Sequence, residues 1–199
     1  EVALKIVFAT PEQPDGMARF HREAQVAAAI KHPNVVEIYD VGQSGDSAFL
    51  AMEFLRGSTL REVMEEGVGM PLDQAMALAT QLASALVAAH ARGVVHRDLK
   101  PENIFLETSN GGVPRVVVVD FGLAFIAGDA ERGRVTREGV VIGTPTYLSP
   151  EQANATHIGV ASDIYSFGAV LYEMATGDRM RQRLSDSGRP PPITHADLV

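Results

Sequence analysis

The sequence predicts an α+β chain in two parts: a small strand-rich part, residues 1–55, followed by a larger and mainly helical part, residues 56–199. Three observations carry this. Before Gly57, apolar and β-branched residues gather into short runs of strand length with one helix among them. After it, apolar residues recur at helical spacing. Within this second part lies a stretch, Phe125 to Thr144, with no convincing period, which reads as one long loop. Long structureless loops in compact domains tend to be functional or disordered.

Val2 to Phe8 is an apolar run broken by a single Lys5, and reads as a strand. A loop with Pro11, Pro14 and Gly16 follows. Met17 to Ile30 then has helical spacing, with Phe20, Ala24, Ala27 and Ala28 apolar. Pro33 biases His32 away from the helical region and so ends that helix. Val35–Val41 and Ala48–Phe54 read as two strands of a hairpin around the Gly42–Ser47 turn. Beyond Gly57, Thr59–Glu66 and Leu72–Ala91 read as helices. Asn103–Leu106 and Arg115–Val119 read as short strands, and Ser162–Thr176 as a final helix. The Gly188–Pro192 tail is linker-like. A cleft is expected where the two parts meet, and clefts of this kind commonly bind ligands.

Composition narrows the function classes. An apolar fraction of 46% and a charged fraction of 21% in 199 residues are ordinary for a globular protein and exclude disorder across the whole chain. The net charge of −8 argues against a nucleic-acid surface, which needs a basic face. With no cysteine, disulfides, zinc-thiolate sites and thiol catalysis are excluded, and a cytoplasmic location fits. Met76 to Val95 is the most apolar long stretch, but Gln81, Ser84, His90 and Arg92 interrupt it. It reads as an amphipathic or buried helix, so no membrane contact is expected from this segment. The six histidines show no metal-ligand spacing. Opening on Glu1 and running directly into a strand, the chain reads as cut from something longer.

The chemistry concentrates in Asp98-Leu99-Lys100-Pro101-Glu102-Asn103. A lysine two positions from Asp98 favours its ionised form, which suits accepting a proton or orienting a hydroxyl. Asn103 offers a neutral oxygen suited to Mg²⁺. Asp120 follows the strand run Val116–Val119 and precedes Phe121-Gly122, a turn position that suits a metal ligand. Taken singly, Asp98 reads equally as a turn aspartate and Asp120 as a strand-terminating cap; in this order they point to a site. A lysine in an apolar strand is costly to bury unless paired, so Lys5 either has a carboxylate partner or lies on an edge strand facing water.

At His96-Arg97-Asp98-Leu99-Lys100-Pro101-Glu102-Asn103 the chain resembles the eukaryotic-like (Hanks-type) serine/threonine protein kinases, most of all bacterial members. The resemblance runs from about Glu1 to Gly177. It implies a two-lobed protein-kinase-like fold lacking its first two strands and ending after the central helix. It also implies ATP and Mg²⁺ as cofactors, and serine or threonine hydroxyls of proteins as acceptors. By the same resemblance Asp98 is the catalytic base, Lys100 steadies the transferred phosphoryl group, and Asn103 and Asp120 hold Mg²⁺. Lys5, paired with Glu23, points to the α- and β-phosphates. Met52 is the gatekeeper, Glu53 to Leu55 the hinge along adenine, and Ala3 and Phe105 sandwich the adenine ring. Met52, Ala3 and Phe105 read equally well as plain core. Asp163 braces the backbone around His96-Arg97, although Ser162 or Asp163 could also be an ordinary helix N-cap.

The segment ending Gly143-Thr144-Pro145-Thr146-Tyr147-Leu148-Ser149-Pro150-Glu151 resembles an activation segment, and Lys100 with Thr144 favours serine/threonine over tyrosine acceptors. Thr136 is then the candidate for trans-autophosphorylation, with Arg97 as the partner of its phosphate, and Glu138 a partial constitutive negative charge. Two departures stand out. No Gly-x-Gly-x-x-Gly precedes Lys5, and Glu151 is expected to lack the downstream arginine that pairs with it in the family. The favoured reading is an active kinase of which this is a portion. The alternative is a pseudokinase acting as a binding scaffold. A small-molecule phosphotransferase is disfavoured by the Ser149-Pro150-Glu151 end of the segment, which docks protein substrates in the family.

Overall fold

Strand β1 (Val2–Phe8) alternates, with Ala3, Lys5 and Val7 turned inward and Val2, Leu4, Ile6 and Phe8 exposed. In the computed structural model it forms the edge of a three-stranded antiparallel sheet of order β1-β3-β2, with β2 at Ile38–Ser44 and β3 at Ser47–Glu53. The structure describes residues 1–8, 16–45, 47–64, 67–108, 112–121, 145–154 and 158–179. The expectations for Thr136, Glu138, Thr144 and the Gly188–Pro192 tail lie outside these residues.

The register sets Lys5 opposite Leu50 and Ala3 opposite Met52. Directly opposed residues share a face, so Lys5 stands on the buried side of the sheet beside Leu50. Helix α1 (Gly16–Ala28) lays Phe20, Ala24 and Ala27 onto that side, all nearly inaccessible. The strand expected from Val35 begins only at Ile38. Residues 34–36 pair elsewhere: Val36 N donates to Val118 O at 3.0 Å, and Val118 N to Asn34 O at 2.9 Å. That loop is therefore stitched to the second sheet and is lost to the first.

The second sheet has order β4-β5-β6, with β4 at Gly57–Thr59, β5 at Ile104–Glu107 and β6 at Arg115–Val118. Gly57 has φ of 153°, and a Cβ there would meet Leu106 O at 2.0 Å, so only glycine lets β4 approach β5. The helix expected from Thr59 to Glu66 shrinks to α2 (Leu60–Val63), because Thr59 is its N-cap, in a capping box with Glu62. Helix α3 (Leu72–His90) is long and apolar enough by composition to cross a membrane. Here, however, its Ala75, Leu78, Leu82, Ala85, Leu86 and Ala89 stripe is buried, and it packs on β6 and on α5 (Val160–Thr176). A short helix α4 (Pro150–Ala153), capped by Ser149 and Gln152, was not anticipated. Helix α5 starts two residues before the expected Ser162 and ends on left-handed Gly177.

Candidate active site

The loop before β5 is shaped from beneath by one carboxylate. Asp163, in the first turn of α5 and 1% exposed, accepts from His96 N at 2.8 Å and from Arg97 N at 2.9 Å. It also bonds His90 Nε2 at 2.7 Å. Asp163 is thus the expected brace, and the N-cap position belongs to Gly159 instead. The brace holds Arg97 at φ 67°, a left-handed conformation that costs a side-chain-bearing residue roughly 1–2 kcal/mol. Gln152 Nε2 adds a bond to Arg97 O at 2.5 Å.

His96 ties the loop to the end of β6. Its Nδ1 accepts from Asp98 N at 3.3 Å, so the ring proton sits on Nε2, which donates to Val119 O at 3.0 Å. Burial lowers its pKa below the ordinary 6.5, against the pull of Asp163, and the ring stays neutral at pH 7. Its face meets Phe121, with centroids 4.8 Å apart.

Above this base Asp98, Lys100 and Asn103 form one cluster. Lys100 is extended (φ −158°, ψ 163°), which returns a side chain two residues on to the side of Asp98. Its Nζ lies 2.7 Å from Asp98 Oδ2. Asn103 closes a 3₁₀ turn over Pro101–Asn103, and the strand expected from Asn103 begins one residue later. Its Nδ2 donates to Asp98 O at 2.8 Å and to Oδ2 at 3.2 Å, which turns the amide oxygen away from Asp98. Val119 N donates to Asn103 O at 3.0 Å and so sets Asn103 beside Asp120.

The ion pairs on the other side differ from expectation. Lys5 Nζ meets Asp120 Oδ1 at 2.7 Å, whereas Glu23 takes Arg97 Nη1 at 3.5 Å. The predicted Lys5–Glu23 pair is absent. A half-buried lysine needs a carboxylate, and Asp120, turned by φ of 64°, reaches Lys5 more closely than Glu23 does. Met52 lines an apolar cavity with Val35, Ile38, Leu50, Asp120 and Phe121. Ala3, Leu55 and Phe105 are half-buried. Among the described residues no group of three or more His, Asp or Glu could hold a metal by itself.

Sequence reasoning missed a second polar network. Arg61 on α2 donates to Glu173 Oε1 at 3.0 Å and to Glu102 Oε1 at 3.1 Å. The Tyr147 hydroxyl joins it, accepting from Arg61 Nη2 and donating to Glu173 Oε2. Burial, then the bond to Glu173, push the Tyr147 phenol well above its usual range. Glu173 was the available signal: a glutamate inside the apolar run of α5, 3% exposed, must find a cation. Glu151 accepts from Ser162 Oγ at 2.6 Å, and this bond holds its carboxyl below the usual range.

Residues 1–189 match the protein kinase domain family. The chain is 44% identical to the serine/threonine-protein kinase pkn2 of Myxococcus xanthus over 178 residues, covering 89% of this chain and 21% of that protein. It is 41% identical to the serine/threonine-protein kinase PknB of Mycobacterium leprae over 183 residues, 89% of this chain and 28% of that protein. The chain therefore spans less than a third of either relative. Its fold resembles the crystal structure of the Mycobacterium tuberculosis PknI kinase domain, a cysteine-to-alanine variant. The TM-score is 0.70 at 26% identity, over 96% of this chain and 68% of that one. With its family match spanning both sheets and the braced Asp98 loop, this chain belongs to the protein kinase family.

Proposed function

We propose that this chain is the working part of a bacterial-type serine/threonine protein kinase that transfers the γ-phosphoryl group of ATP to hydroxyls of protein substrates. The observation that carries this reading is the Asp98–Lys100–Asn103 cluster, held in one hydrogen-bonded unit on a loop that Asp163 shapes through the main chain. Such transfer depends on positioning and charge neutralisation more than on covalent chemistry. Asp98, paired with Lys100 at 2.7 Å, would accept the hydroxyl proton, and Lys100 would follow the charge that develops on the transferred group.

Mg²⁺ fits the residues present. Asp120 and the outward-turned amide oxygen of Asn103 are hard oxygen donors, and this ion usually takes one or two protein oxygens, completing its shell with water and phosphate. When bound it would neutralise the phosphate charge. For that Asp120 must leave Lys5, whose Nζ is then free for the phosphates, and Glu23 must exchange Arg97 for Lys5. Met52, Glu53 and Leu55, with Ala3 and Phe105, would receive adenine. A cytoplasmic location belongs to the proposal, since the reaction consumes a cytoplasmic nucleotide. Asp98→Asn tests it. Transfer of phosphate from labelled ATP to a serine- or threonine-containing protein should fall by on the order of 10²- to 10⁴-fold; unchanged transfer overturns the assignment of the base. If the unaltered protein binds ATP and transfers nothing, the scaffold reading replaces the enzyme.

A further inference from the structure

Arg115, the first residue of β6, gathers three other segments onto one guanidinium. Its Nε donates to Pro33 O at 2.6 Å, and its Nη1 to Glu107 Oε2 at 2.9 Å. Nη1 and Nη2 also grip Glu53, at 3.2 and 3.3 Å to its two carboxylate oxygens. Glu53 is the last residue of β3, at the point where the chain leaves the first sheet, and its side chain is only 16% exposed. Its carboxylate also accepts from Glu37 N at 2.8 Å, while its own N–H donates to Glu37 O at 2.9 Å. Pro33, Glu107 and Arg115 belong to parts anchored on the second sheet, since residues 34–36 pair with Val118. One side chain thus fastens the crossing strand to the second sheet, and its own strand leads directly to Asp120.

We propose that Arg115 is a positioning residue for nucleotide binding: it fixes the angle at which the two sheets face each other across the cleft. The inference rests on the kinase reading, in which the Glu53–Leu55 backbone meets adenine and Asp120 holds the cation. An ordinary exposed ion pair would do little. This one is bidentate, reaches a nearly buried carboxylate, and uses the planar fork to join groups that a lysine ammonium, as a single point charge, cannot span. It also separates two like charges. Glu53 and Glu107 both lie within 3.2 Å of Arg115 Nη1, so without the guanidinium they face each other with no cation between them and push the crossing strand away from β5.

The test is the affinity of the full-length gene product for a fluorescent ATP analogue with Mg²⁺. Arg115→Ala should weaken binding by on the order of 3- to 10-fold, and Arg115→Lys should restore only a minor part of it. The double variant Arg115→Ala/Glu107→Gln, which removes the repulsion, should bind more tightly than Arg115→Ala alone. A merely structural loss would not be rescued by a second deletion. Unchanged affinity in a folded Arg115→Ala protein, full rescue by lysine, or no gain in the double variant overturns the proposal. If Arg115→Ala does not fold, the lysine variant and Glu107→Gln alone carry the test, and wild-type affinity in both overturns it. Binding that depends on Arg115 in a protein that transfers no phosphate would sink the kinase reading and leave the positioning role standing.

Discussion

The two sides of the candidate site are held by different means. Beneath Asp98, the loop is fixed by bonds to the main chain: a carboxylate that is 1% exposed accepts two consecutive backbone N–H groups, and a buried imidazole bridges to the neighbouring strand. Toward the first sheet, Lys5 and Glu23 are joined to Asp120 and Arg97 by side-chain ion pairs whose members are 29 to 35% exposed. Buried, main-chain-directed bonds define one geometry, because losing them strands a polar group away from water. Half-exposed ion pairs contribute little and exchange partners readily. The lower side is thus a rigid platform, and the upper side is a set of charges free to re-pair when phosphate and cation arrive.

The largest expected effect breaks the platform. Asp163→Ala leaves two buried N–H groups and His90 without their acceptor, and loss of such a buried charged partner costs about 3 to 5 kcal/mol. Urea unfolding should show that loss, with activity falling alongside. Lys5→Met tests the other side. Stability should change by no more than about 1 kcal/mol in the same assay, given how exposed the pair is. Phosphoryl transfer should nevertheless fall by on the order of 10²-fold or more, since Lys5 is the cation proposed for the phosphates. Stability and activity falling together in Lys5→Met would erase the distinction between the two sides.

Acid sharpens the contrast with a smaller effect. His96 titrates below its ordinary 6.5 in the folded chain because it is buried. Between the two pKa values the unfolded state binds more protons, so stability rises with pH there. The contribution of His96 is present above about pH 6.5 and is lost as the pH falls toward the folded value. Unfolding followed from pH 7.5 to 5 should show this slope, and His96→Asn should flatten it. An unchanged slope in that variant would remove His96 from the platform.

Much of this was legible in the sequence, for reasons that differ by region. The order and spacing of Lys5, Asp98, Asn103 and Asp120 marked the site because each is a charged or amide residue that its local pattern does not require. Asp163 was legible as a brace only through its family resemblance. The partner of Lys5 was misread because the need of a half-buried lysine is met by any carboxylate, and the choice between Glu23 and Asp120 depends on the left-handed turn at Asp120. The late start of β2 was hidden too, since Val35 and Val36 have strand-forming character and simply pair with a more distant strand. Networks such as Arg61–Tyr147–Glu173 join positions 86 and 112 residues apart, beyond the reach of any local period.

Within the loop, Asp163 reads what every residue other than proline shares, the main-chain N–H. That part of the loop's shape is therefore written separately from the side chain displayed at position 97. Arg97 could give way to many residues, glycine most easily at its positive φ, with the curve of the chain under Asp98 largely kept. Proline at either position would erase that curve at once by deleting a donor. In such a loop the scaffold can stay constant while the chemistry on it is rewritten, one side chain at a time.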